Sequence, residues 1–428
     1  MSIIFWRVSR LINIANHCGE EVMPGKKRIK LGVISNEFFE LSLGQMGGFG
    51  WAARQLANCF NKGHNLNVDL VFLSGDRYGD PDHSDPVIHD TRLILRQRKR
   101  LNYRMKIWKE KIDILLSIDY RKKYRDVFRL LPRTPIIVWV RDPRPPEDAT
   151  RILTVRIPGA EGIQPQGLKS PDCTSLAAVV RASRWWRRPV LFATPAPFLA
   201  DKVPGTYRVQ PKEVTTLPNI IDFEPGEIVK SAKPTAVFLA RLDPYKRPWL
   251  FAELARHFPE VEFLFLGQSH FRGEGAWEPS SLPDNVKMMG HVDGEKKVGI
   301  LSAAWVLVNT SIHEGLAVSF LEALKCETPL LSCVDPQNVV SRFGTYVGRY
   351  DGTGMEAIPK FVEGLASLLE NKELRLRLGK EGSAWVRETH NKRRFLEAFF
   401  ELVARANPRI GNLGAEGCID RGSHNTTQ

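Results

Sequence analysis

The chain has 428 residues, 43% hydrophobic and 25% charged. That is ordinary globular composition, which excludes a wholly disordered chain, a collagen and a disulfide scaffold. Lys and Arg total 61 against 48 Asp and Glu, a formal charge of +13, so polyanions are favoured partners: nucleic acid, an anionic membrane or phosphorylated substrates.

Residues 1–28 read as an extension ahead of the first packed element. Arg7 and Arg10 interrupt its apolar stretch and no clean cleavage site follows, so it does not read as a signal peptide. Met1 and Met23 are both candidate starts. The first strand pattern is Ile29–Ser35, and Gly47-Gly48-Phe49-Gly50 leads into the helical pattern WAARQLANCF. VDLVFLS is a second strand ending at Ser74, followed by the turn-rich GDRYGDPDHSDP. The apolar runs IDILLSI and PIIVWV bracket a basic stretch. Arg151–Arg181 is irregular; VLFATP then reads as a strand and PAPFLADKV as a short helix.

The second half alternates more regularly. AVFLA (Ala236–Ala240) is a strand, and RPWLFAELARHF is a helix with Pro248 in its first turn. VEFLFLG and VKMMGHV are strands, GEKKVGILSAA is a helix and WVLVNTS a strand. GLAVSFLEALKC is a helix and PLLSCV a strand, and three helical segments end near Ala406. Residues 407–428 lack periodicity and read as a disordered tail. The expected fold is α/β, with two Rossmann-like doubly wound domains, 29–224 and 225–406, facing a central cleft. In such sheets ligands sit at the carboxyl ends of the strands. No apolar run approaches the roughly 18 residues that span a bilayer. The six cysteines show no CxxC spacing and read as buried, reduced thiols of a cytosolic protein.

Two stretches carry candidate chemistry. In AVFLARLDPYKRP, Arg241 leaves a strand and Lys246 follows beside a helix start. Two cations there suit a diphosphate, although a solvated Arg and Lys in a loop is the plainer alternative. In NTSIHEGLAVSFLEALKCETP a strand ends near Ser311 and a helix begins near Gly315. That leaves Glu314 in the turn, Gly315 and Leu316 as first-turn amide donors, and Glu322 about two turns on. Carboxylates beside a helix mouth suit sugar hydroxyls; a capping Glu314 and an exposed Glu322 is the alternative.

Together these stretches resemble the donor site of retaining glycosyltransferases of the two-domain GT-B fold, of the glycosyltransferase family 4 type. Arg241 and Lys246 match that family's R-x4-K pair, and Glu314 and Glu322 its E-x7-E. PNIID (Pro218–Asp222) is similar to its interdomain turn, and GGFG (Gly47–Gly50) to its glycine-rich loop. The resemblance covers about residues 29–405, most strongly in the C-terminal half. It implies a hexose moved from a nucleoside-diphosphate sugar to a glycan or lipid-linked acceptor, in cell-envelope polysaccharide or glycolipid synthesis. Arg241 and Lys246 would neutralise the departing diphosphate in place of a metal, so no metal and no cofactor are expected. Glu314, helped by Gly315 and Leu316, would bind the donor sugar, and Glu322 the ribose. Gly48 and Gly50 would approach the donor through their backbone. Where the family has a histidine after a buried N-terminal strand, this chain reads Arg141-Asp142, which become the candidate sugar contacts. The identity of the sugar is left open. A non-catalytic protein of the same fold, binding nucleotide or glycan, is the alternative function.

Other readings compete. Gly48-x-Gly50-x-x-Ala53 matches a dinucleotide fingerprint but stands about a dozen residues from Ser35, too far for the required tight turn. Asp80-Pro81-Asp82 with His83, Asp85 and His89 could bind a metal, but reads better as turns. From Arg92 to Arg133, fifteen Lys and Arg face only Glu110, Asp113, Asp119 and Asp126. Leu101, Met105, Trp108 and Ile112 form one helical stripe there. An anionic membrane surface is a partner for that stretch; a stripe packed on its own domain is the alternative. Nucleic acid is not expected, because no recognition motif accompanies the charge. The expected location is cytoplasmic, peripheral on the inner face of the cell membrane.

Overall fold

The computed structural model describes residues 28–38, 47–61, 66–77, 85–96, 100–168 and 173–410. The expectations for residues 1–27, for Asp80–His83, for Arg98 and Lys99 and for the tail beyond Ile410 lie outside these.

The chain divides into two compact units. The first comprises the described residues up to Arg141, residues 173–220, and those from Asn391 on; the second comprises 142–168 and 221–390. The single crossing expected near residue 225 is therefore replaced by four: at 141/142, within 169–172, at 220/221 and at 390/391.

The first unit holds strands β1 (Ile29–Ser35), β2 (Val68–Arg77), β3 (Val87–Ile88), β4 (Thr91–Arg96), β5 (Ile114–Ile118), β6 (Ile136–Trp139), β7 (Val190–Thr194) and β8 (Val214–Thr216). Their order is β3-β4-β2-β1-β5-β6-β7-β8, parallel except for β3 against β4. β5 and β6 are buried along their whole length, which is why ILLSI and IIVW are continuous apolar runs: helices cover both faces of a parallel sheet. Side chains alternate across the strands. Val138 joins the core formed with helices Arg100–Lys109, Arg125–Leu130 and Leu176–Trp185, through Tyr103, Ile107, Val127, Phe128, Leu176 and Val179. Its neighbour Trp139 meets Phe395 of helix Lys392–Ala406, 5.6 Å between ring centroids. In the same layer Phe60, from helix Gly48–Asn61, lies 5.1 Å from Phe399.

Three local expectations change. β4 was not foreseen, because TRLILR lies in the basic stretch; its Arg96 is buried and donates to the carbonyls of Gly75 and Lys123 and to Asp126. Residues 151–181, read as irregular, include the end of helix Pro146–Leu153 and the start of Leu176–Trp185. The stripe does not pack as one face: Ile112 is buried, whereas Leu101, Met105 and Trp108 are exposed.

The second unit holds β9 (Thr235–Leu239), β10 (Glu262–Leu266), β11 (Val286–Gly290), β12 (Val306–Asn309), β13 (Leu330–Ser332) and β14 (Gly344–Tyr346), ordered β11-β10-β9-β12-β13-β14 and all parallel. Its core gathers Phe238, Phe251, Phe263, Phe265 and Trp277. The connection reverses between β9 and β12, and ligands of such sheets sit outside the strand ends at that point.

Candidate active site

Two loops of the second unit leave this switch point. The first follows β9. Arg241 Nη2 donates to Tyr245 Oη (2.9 Å), and its Nε lies 3.1 Å from Asp243 Oδ2. Asp243 is buried, so the guanidinium is oriented from beneath. Pro244–Lys246 form a single 3-10 turn, and Arg247 (φ 49°) turns the chain into helix Pro248–Arg256. The second loop follows β12 and carries Glu314. Its Oε1 accepts from Lys246 Nζ (2.6 Å), Ser311 Oγ (2.6 Å) and Asn309 Nδ2 (3.1 Å). Burial alone would raise the Glu314 carboxyl, but Lys246 and these hydrogen bonds hold it below its ordinary value. Burial likewise lowers the Lys246 ammonium, and Glu314 outweighs this and holds it above its ordinary value.

Two arginines that spacing did not single out fix the second loop. Arg247 is fully buried. Its Nε donates to Thr310 O (2.8 Å) and its Nη1 to Tyr350 O (2.9 Å). Arg151 Nη1 donates to Ile312 O (2.6 Å). Thr310 Oγ1 donates to the carbonyls of Lys246 (2.7 Å) and Arg247 (2.9 Å), and Ile312 N to Tyr245 O (3.0 Å). The two loops are thus joined along their backbones, and the Lys246–Glu314 pair is preorganised. A guanidinium surrounded by carbonyls is satisfied inside the protein, but in the sequence Arg247 reads as one more solvated cation.

The helix after Glu314 starts later than expected, at Val318. Ala317 is extended (φ −61°, ψ 125°) and breaks the helical path. The amides of Gly315 and Leu316 therefore belong to the loop, not to the first helical turn. Glu322 is not exposed either: it is buried, and Lys297 Nζ donates to its Oε1 at 2.8 Å.

Arg141 and Asp142, adjacent in sequence, fall in different units. Asp142 accepts from Arg144 Nη2 (2.6 Å) and lies 2.9 Å from His313 Nε2. Burial would raise its carboxyl, but Arg144 and His313 hold it well below the usual carboxylate range. His313, beside Glu314, was missed because its partners are about 170 residues away in sequence. Arg141 belongs to the first unit, where its Nη2 donates to Asn219 Oδ1 (2.6 Å) and its guanidinium lies 4.3 Å from the Trp139 ring. Its Nη1 is buried without a hydrogen-bond partner, and burial pulls its pKa down to about 10. Also in the first unit, Gly48 opens helix Gly48–Asn61. Glu37 Oε2 accepts from the amides of Gly47 (3.0 Å) and Gly50 (3.3 Å), filling part of a helix N-terminus that would otherwise favour an external anion. Among the described residues no His, Cys, Asp and Glu group has the makings of a metal site.

Two Rossmann-like α/β units of mainly parallel strands, with loops bearing charged groups at the switch point of the second, match the fold of GT-B glycosyltransferases. Residues 221–385 match the family model of group 1 glycosyl transferases. The chain is 30% identical over 128 residues to a subunit of the phosphatidylinositol N-acetylglucosaminyltransferase of Arabidopsis thaliana, a match covering 28% of this chain and only 29% of that protein. Among solved structures it is similar in fold to sucrose-phosphate synthase of Thermosynechococcus elongatus, with a TM-score of 0.63, 14% identity, and coverage of 89% of this chain and 100% of that one. It is likewise similar to HepE of Anabaena in complex with UDP-glucose, with a TM-score of 0.61, 12% identity, and coverage of 88% and 100%.

Proposed function

We propose that the chain is a retaining, metal-independent glycosyltransferase of the family 4 type. It moves a hexose from a nucleoside-diphosphate sugar to a glycan or lipid-linked acceptor, in cell-envelope polysaccharide or glycolipid synthesis. The observation that carries this reading is the Lys246–Glu314 pair, 2.6 Å apart, joining the loops that leave β9 and β12, with Arg241 on the first of those loops. The group 1 match over residues 221–385 supports it.

In this reading Arg241 and Lys246 neutralise the diphosphate as it leaves. Lys246 does so without giving up Glu314, because an ammonium has three donor hydrogens. The bond from the anomeric carbon to the phosphate oxygen breaks while the acceptor oxygen closes on the same face, and the acceptor's proton passes to that phosphate oxygen. Stabilising the leaving charge by fixed donors is the main catalytic term. Glu314 accepts from a donor-sugar hydroxyl beside the loop amides of Gly315 and Leu316. Glu322, fixed by Lys297, accepts from the ribose. Gly48 is the proposed place of close backbone approach, since a Cβ there would meet nothing within 4 Å; Gly50 is a weaker candidate, its amide already donating to Glu37. Arg141 and Asp142 remain proposed sugar contacts, the first through its unpartnered Nη1.

The test is a panel of UDP-glucose, UDP-N-acetylglucosamine and GDP-mannose, each with and without an inositol phospholipid acceptor suggested by the plant relative's name. Slow hydrolysis of one donor without acceptor, and transfer that persists in EDTA with an unchanged anomeric configuration, are expected. A chain that neither binds nor cleaves any nucleoside-diphosphate sugar sinks the proposal. Loss of activity in EDTA, restored by Mn²⁺, replaces its metal-independent part.

A further inference from the structure

Helices Arg100–Lys109, Arg125–Leu130 and Leu176–Trp185 lie in contact as one layer of the first unit. The outer surface of this layer departs from an ordinary solvated face in two ways. It exposes large apolar groups: Trp185 is 92% exposed and Trp108 66%, with Trp186, Leu101 and Met105 also in water. It is also single-signed: Arg104, Lys109, Arg129, Arg133, Arg184 and Arg187 are exposed. The layer's acids are each buried or engaged with a partner. Glu110 pairs with Arg92 and Asp126 with Arg96, Asp113 accepts from the Lys30 amide, Asp119 is buried, and residues 173–188 contain none.

The geometry points to this layer as a docking surface for an anionic lipid bilayer, with Trp185 and Trp186 as its apolar anchor. Tryptophan settles at the level of lipid headgroups, cations beside it meet anionic lipid, and exposed apolar area of this kind marks an interaction surface. The side chains choose among partners. Leu101 and Met105 gain nothing against nucleic-acid phosphates but are buried by acyl chains. A second copy of the chain, docking isologously, would set like charges against each other. The Trp185–Trp186 pair lies outside the basic stretch from Arg92 to Arg133, so charge and helical spacing in that stretch did not reveal it. The inference stands apart from sugar transfer, since vesicles without donor test it.

The experiment is co-sedimentation of the full chain with vesicles of phosphatidylcholine alone and of phosphatidylcholine with phosphatidylserine, at low and high salt. Binding to the anionic vesicles only, weakening with salt, is expected. The double variant Trp185→Ser, Trp186→Ser should partition about tenfold less, and Arg184→Glu with Arg187→Glu should bind no better than to neutral vesicles. All four side chains are exposed, so unchanged melting curves will show that the fold is kept. In the wild type, brominated lipid should quench tryptophan fluorescence more strongly than in the double tryptophan variant. Equal binding to both vesicle types, no binding to either, partitioning unaffected by loss of both tryptophans, or displacement from vesicles by single-stranded RNA would each overturn the proposal.

Discussion

At the scale of single residues, the proposed sugar transfer rests on a lysine and a glutamate of the second unit that stabilise each other's charge. Replacing either Arg241 or Lys246 by alanine should cut turnover about a hundredfold, since one lost preorganised donor costs roughly 3 kcal/mol. Initial rates with the true donor check this, and near-normal rates in both variants defeat the assigned roles. The pair also fixes a pH dependence. Glu314 is held below its ordinary value of 4.5, so its stabilising contribution is present above that value and is lost as pH falls through the depressed one. Lys246 is held above its ordinary 10.5, so its contribution is present below that value and is lost as pH rises through the raised one. The melting-temperature gap between wild type and Glu314→Gln should therefore be level across neutral pH and shrink in acid; a gap that widens in acid contradicts the pairing. Strand–turn–helix spacing singles out Arg241, Lys246, Glu314 and Glu322; of these the structure joins Lys246 to Glu314 and pairs Glu322 with Lys297 instead. His313 with Asp142, and the buried state of Glu322, were not legible, because each depends on a partner brought in by tertiary folding.

At the scale of elements, the loop after β12 is held in place from inside. Arg247→Ala would leave the carbonyl of Thr310 without its buried donor and that of Tyr350 with Arg151 alone, at about 1–3 kcal/mol for an unsatisfied group. Urea unfolding should show a loss of that order, and Arg247→Lys should recover only part of it, because an ammonium lacks the planar fork. A fully stable Arg247→Ala chain would refute the anchoring role. Most strands of both sheets were legible, since parallel strands buried on both faces are continuous apolar runs. β4 was hidden by its arginines, one of which is buried on carbonyls. Helix Leu176–Trp185 was hidden by a terminus rich in Arg and Trp that faces outward. Helical spacing singled out Leu101, Met105 and Trp108 of Arg100–Lys109, which stay in water as a membrane-facing stripe requires, but not Tyr103 and Ile107, the face that packs into the core.

At the scale of the molecule, helix Lys392–Ala406 belongs to the first unit. An amphipathic pattern shows that a helix has an apolar face without saying which sheet it covers, so Lys392–Ala406 read as the end of the second domain. A chain stopped after His390 would strip Phe395 and Phe399 from Phe60 and Trp139. Losing buried aromatic side chains costs about 3–5 kcal/mol each, comparable with the whole stability of a domain. Limited proteolysis of that shortened chain should degrade the first unit and spare the second; equal resistance of both would show that the helix is dispensable.

The four crossings also set a timetable. Translation delivers a protein from its N-terminus, at about 5–20 residues per second. The eight described strands of the first unit are all synthesised by Thr216, yet one face of their sheet waits for Phe395 and Phe399. The second unit has every segment it needs once His390 has left the ribosome. The half that is begun first is therefore finished last, and during that interval Phe60 and Trp139 lack their final cover. A nascent chain arrested just short of residue 391 should carry a protease-resistant second unit and a first unit still open to holding chaperones.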